Sequence, residues 1–106
     1  MDDKIRNDLE LFSKNVLKIV PAEAIYLFGS YAYGKPSDES DIDIYVVVPD
    51  DVDDLGDLYA DVRLLWRKNP VSIDLLMGRS HVFNRRKNGP TLERTIAQKG
   101  TMVYGT

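Results

Sequence analysis

The chain opens with apolar residues at helical spacing. Ile5, Leu9, Phe12, Val16 and Ile19 follow one another at intervals of four, three, four and three. That rhythm predicts an amphipathic helix over Asp3 to Val20, closed by Pro21. The pattern then becomes continuous. Ala24-Ile25-Tyr26-Leu27-Phe28 is a short apolar run bounded by Gly29, as expected of a buried strand. Ser30 to Tyr33 suits one helical turn, and residues 34–40 are loop chemistry throughout. Asp41 to Val48 alternates at first and then runs Val46-Val47-Val48, which predicts an interior strand ended by Pro49.

The acidic stretch Asp50 to Asp54 suits a helix N-terminus, where the macrodipole favours negative charge. Leu55, Leu58, Tyr59, Val62, Leu65 and Trp66 mark the helix that follows, with Arg67 and Lys68 in its last turn. Val71 to Met77 reads as a third strand ended by Gly78, and Arg79 to Asn88 as a basic loop or short helix. Pro90 is expected in the first turn of a last helix that runs through Gln98. Gly100 stops it, and Thr101 to Tyr104 suits a terminal strand. The order predicts an α+β fold, a small mixed β-sheet with helices packed on it, formed by one domain over residues 1–106.

Composition narrows the class. Hydrophobic residues make up 43% and charged residues 29%, which is ordinary for a folded globular domain. No apolar run approaches the roughly 20 residues of a membrane span, so no membrane partner is expected. The N-terminus lacks the basic-then-apolar order of a signal peptide, and a cytoplasmic location is the simplest expectation. Without cysteine, disulfides and thiolate metal sites are excluded. The net charge of −3 argues against unaided gripping of a nucleic-acid backbone. Charge is also divided along the chain. Residues 37–61 hold acids and no bases, whereas residues 62–98 are mainly basic, with Asp74 and Glu93 as the exceptions. This division suits a cation site in the first part and an anion or partner surface in the second; solvated faces are the plainer alternative.

The candidate chemistry lies between the first and third strands. Gly29-Ser30 ends a strand and enters a helical turn, leaving backbone N–H groups and a hydroxyl able to hold phosphate oxygens. Asp41 and Asp43 are two apart, so on a strand they project from one face while Ile42 and Ile44 enter the core. Two carboxylates on one face repel each other unless a cation lies between them, and hard oxygen ligands suit Mg²⁺. Asp74 is a third candidate, an isolated acid in Ser72-Ile73-Asp74-Leu75-Leu76 that is costly to bury unless paired or bound to a cation. If its strand lies beside that of Asp41, the three carboxylates converge.

Gly29-Ser30, Asp41-Ile42-Asp43-Ile44 and the later Asp74 resemble the core of the polymerase-β-type nucleotidyltransferase superfamily. The string from Gly29 to Gly34, through Ser40 to Asp43, is similar to its minimal nucleotidyltransferase (MNT) branch. Arg79, Phe83, Thr95-Ile96, Gly100 and Tyr104 fit that branch's loose closing pattern. The resemblance implies that Gly29 and Ser30 bind the triphosphate of ATP or another nucleoside triphosphate. It implies that Asp41 and Asp43 ligate Mg²⁺, and that Asp74 ligates a second Mg²⁺ and helps deprotonate an acceptor hydroxyl. It also implies an antitoxin-like pairing with a helical HEPN-class protein, with AMP passed to a tyrosine of that partner. Many relatives carry Arg where this chain has Tyr33, which implies one positive charge fewer near the phosphates.

Two functions compete at this level. One is an adenylyltransferase; the other is an antitoxin-like binding module that covers a partner with weak or no catalysis. Three acids favour the first. A polymerase or tRNA-end-adding role is disfavoured for want of a template-binding domain, and an antibiotic-modifying role for want of an added helical one. His81 is expected as a surface residue, Tyr59 and Trp66 as core. Arg85-Arg86-Lys87 is read either as a solvated loop or as a contact surface for nucleotide or partner. The acceptor, the base and the oligomeric state are left open.

Overall fold

The computed structural model describes residues 2–105. Helix α1 spans Asp3–Ile19, with Asp2 capping the N–H of Lys4 and Leu9, Phe12 and Val16 buried along the predicted stripe. Strand β1 is Ala24–Phe28, the single turn α2 is Ser30–Tyr33, and β2 is Ile42–Val48. Helix α3 is Leu55–Leu64, β3 is Ile73–Arg79, α4 is Ser80–Arg86, α5 is Leu92–Lys99 and β4 is Thr101–Gly105. The sheet order is β3-β2-β1-β4. β1 runs antiparallel to both β2 and β4, and β2 pairs in parallel with β3. This is the expected mixed sheet.

The sheet is covered on both faces, which explains why β1 and β2 read as continuous apolar runs. Ile25, Leu27, Ile42, Ile44, Val46, Val48 and Leu75 pack with α1 residues and with Val62 and Trp66. Alternate residues Ala24, Phe28, Tyr45 and Val47 pack instead with Phe83 of α4 and Ile96 of α5. The apolar surface buried by this double layer is the main stabilising contribution, at about 25 cal/mol per Å².

Several boundaries differ from expectation. α3 ends at Leu64 rather than continuing through Trp66, and hydrogen-bonded turns carry the chain onward. Trp66 is nevertheless buried, edge-on to Phe12, with its indole Nε1 donating to the Val71 carbonyl at 2.6 Å. Gly78 lies inside β3 rather than ending it, because a Cβ there would overlap the Tyr45 hydroxyl. Pro90 lies outside α5; Thr91 caps that helix by accepting from the Arg94 N–H at 3.1 Å. A hydroxyl cap satisfies a first-turn donor that proline would only have lacked. The basic segment after Gly78 resolves as α4.

Candidate active site

The end of the sheet at which β1 finishes and β2 and β3 begin carries every residue singled out for chemistry. β1 delivers Gly29 at its tip. Gly29 has φ of 71°, a left-handed conformation that side-chain-bearing residues rarely adopt. It also faces Asp43, and a Cβ at position 29 would overlap Asp43 Oδ2. Glycine is therefore required twice, by the turn and by the close approach of a carboxylate. As N-cap of α2 it offers no side-chain cap, so the first N–H groups of that turn have no side-chain acceptor.

Asp43 lies within β2 opposite Phe28 of β1 and, across the parallel ladder, opposite Asp74 of β3. The expected adjacency of those two strands is found, and Asp43 and Asp74 share one register position. Asp41 lies just before β2 rather than on it. Its side chain accepts a hydrogen bond from the Ser72 hydroxyl, while the Ile42 N–H donates to the Ser72 carbonyl at 2.9 Å. Ser72 thus ties Asp41 to the start of β3. Sequence reasoning did not single it out, because a lone serine before a strand has no signature. Asp74 is exposed rather than buried, since β3 is an edge strand.

The electrostatics are those of crowded like charges. Asp43 is partly buried, and its carboxyl is pushed above the ordinary aspartate range, first by burial and then by Asp74 and Asp41. Among the described residues, no group of three or more His, Asp or Glu side chains is gathered closely enough to hold a metal ion. The donor set, three hard carboxylates in a row with Asp43 destabilised as an anion, fits a divalent cation of the Mg²⁺ type.

Behind Asp43 on the same face, Tyr45 is buried beside Glu93. Burial and the Glu93 charge push its hydroxyl up to about 12, so it stays neutral. Arg86 Nε lies 3.0 Å from Glu93 Oε1. Arg86 thus has a fixed partner, while Arg85 is exposed on α4. His81 is exposed, as expected, and its Nδ1 lies 2.9 Å from Asp50 Oδ1. The backbone N–H of His81, and after it that contact, hold the Asp50 carboxyl below its ordinary value. Tyr33 is 45% exposed at the end of α2. No helix among the described residues is long and apolar enough to cross a membrane.

Known proteins agree with this architecture. The family described as "Polymerase beta, Nucleotidyltransferase" matches residues 10–106. "Putative protein adenylyltransferase MJ0604" of Methanocaldococcus jannaschii is 36% identical over 80 residues, covering 76% of each chain. A mutant of the toxin–antitoxin MntA-HpeT superposes with a TM-score of 0.61 at 24% identity, over 92% of this chain and 73% of that one. A toxin–antitoxin structure with AMP-PNP gives 0.57 at 24% identity and the same coverage. A protein from Shewanella oneidensis gives 0.56 at 20% identity, over 99% of this chain and 74% of that one.

Proposed function

The chain belongs to the polymerase-β nucleotidyltransferase family and is a nucleotidyltransferase; from that premise we propose that it moves AMP from ATP to a tyrosine hydroxyl on a helical, HEPN-type partner. The observation that carries the proposal is the shared register of Asp43 and Asp74 beside the glycine turn. Gly29 and the first N–H groups of α2 receive the triphosphate, with the Ser30 hydroxyl as a further donor. Asp41, Asp43 and Asp74 would hold Mg²⁺, which when bound neutralises phosphate charge and favours attack at the α-phosphorus. Asp74, exposed on the edge strand, is the acid an incoming acceptor can reach, and it takes the hydroxyl proton. The acceptor oxygen bonds to the α-phosphorus as the bond to the β-phosphate oxygen breaks, and pyrophosphate leaves.

The protein acceptor is supported by the name of the Methanocaldococcus jannaschii relative, and a toxin partner by the toxin–antitoxin assemblies whose fold this chain shares. The test is co-expression with the product of the neighbouring gene, followed by its intact mass. An AMP-sized increase that disappears with Asp41→Asn is expected. Stable binding without any adduct in Mg²⁺ and ATP would instead support the antitoxin-like binding module.

A further inference from the structure

A groove of about 540 Å³ lies between the second half of α3, the turns that follow it and the first residues of β3. Its lining includes Tyr59, Arg63, Leu64, Trp66, Arg67 and Ile73. The floor is firm, because Trp66 is buried, packs edge-on against Phe12 and donates to the Val71 carbonyl. The rim is apolar and cationic. Leu64 is 54% exposed, and neither Arg63 nor Arg67 has a carboxylate partner among the described residues. No acid lines this groove. Asp57 of the same helix borders a separate hollow with Asp51, Asp53 and Asp54. Two guanidiniums without a carboxylate partner, that of Arg67 also donating to the Leu64 carbonyl at 2.9 Å, lie beside an exposed leucine on a chain of net charge −3 and form a local inversion of the surface charge.

The groove also adjoins the chemistry. Ser72, part of its lining, is the residue that hydrogen-bonds Asp41, and Ile73 directly precedes Asp74. β3 is an edge strand, so nothing in the sheet lies beyond it. Successive side chains of a strand point to opposite faces, so a polypeptide seated in the groove passes around this edge to go from the Ile73 face to the Asp74 face. We propose that this groove docks an acidic segment of the acceptor protein, its carboxylates on Arg63 and Arg67 and an apolar side chain against Leu64 and Trp66, so that its hydroxyl-bearing residue reaches Asp74. The proposal rests on the adenylyl-transfer reading for its occupant. Its geometry does not depend on that reading. Bidentate recognition of carboxylate is the natural use of guanidinium, and a buried aromatic floor beside an apolar rim is a typical anchor site.

Trp66 is the one tryptophan of the chain, so its fluorescence reports directly on the groove. The experiment titrates the whole protein with short tyrosine peptides of equal apolar content, flanked by aspartates, lysines or serines. The aspartate peptide is expected to change Trp66 emission saturably, about tenfold more tightly than the lysine peptide. Arg63→Glu with Arg67→Glu should abolish or invert that preference and leave Mg²⁺–ATP affinity unchanged. The milder Arg63→Gln with Arg67→Gln serves if the first pair fails to fold, and is expected to remove the preference without inverting it. Charge-blind binding, no saturable response to any peptide, or a tighter response to a single-stranded oligonucleotide would overturn the proposal. Adenylyl transfer to a peptide without a Trp66 response would also overturn docking while leaving the transfer reading intact. A charge-dependent Trp66 response with no transfer would uphold docking and count against the transfer reading.

Discussion

Asp43 and Gly29 define each other. The carboxylate occupies the space that any side chain at position 29 would need, and position 29 has a backbone conformation that penalises a Cβ anyway. Gly29→Ala is expected to cost about 1–2 kcal/mol of stability from backbone strain and to displace Asp43, so that transfer is lost while the fold survives. Chemical denaturation together with an activity assay checks both parts. Asp43 itself is a destabilising anion. Its raised folded-state value means that the unfolded chain ionises first as pH rises. The penalty is therefore absent below the ordinary aspartate range, sets in as pH climbs towards the raised value, and is complete above it. Solvent screening at this partly exposed site keeps it within the range of exposed charge interactions, about 0.2–1 kcal/mol. Asp43→Asn should consequently raise the melting temperature of the chelator-treated protein at neutral pH by about 2–6 °C. The gain should vanish in acid; a uniform gain across pH would mean that its source is not the charge.

At the scale of elements, the outer face of the sheet is fastened by Glu93 of α5, held between Tyr45 of β2 and Arg86 of α4. Removing the cation leaves a nearly buried carboxylate without its counter-charge. Arg86→Ala should cost on the order of 1–3 kcal/mol, measured by urea unfolding, and Glu93→Gln added to it should recover part of the loss. No change in midpoint would show that solvent replaces Arg86. This arrangement was not legible in the sequence, where α3 and β3 separate Tyr45 from Arg86 and Glu93 and the three carry no motif. What was legible is local. The stripe of α1, the apolar runs of β1 and β2 and the acidic start of α3 were read at nearly their observed limits, because periodicity and the pull of a helix N-terminus on acids act over a few residues. Gly78 was misread as a stop, since the reason for a glycine there is Tyr45 on the neighbouring strand. Pro90 was placed inside α5 because its preference for a first turn is weaker than the Thr91 cap.

Across the whole molecule, the sheet order decides what the acids can do. A mixed sheet was predictable, but the placement of β3 at an edge, parallel to β2, was not, because strand neighbours are set by tertiary packing. That placement puts Asp74 in solvent, beside the partly buried Asp43. The spacing of Gly29, Asp41 and Asp43 was legible because it belongs to one hairpin-like excursion. The Ser72 tether and the arginine-rimmed groove became visible only with the fold. Calorimetric titration with ATP, in Mg²⁺ and in chelator, for the wild-type chain and Asp43→Asn tests the central claim most directly. The account predicts binding at least about tenfold tighter with Mg²⁺ for the wild type, and a gap largely lost in Asp43→Asn. Equal affinity with and without Mg²⁺, or a full Mg²⁺ effect in the variant, would contradict it.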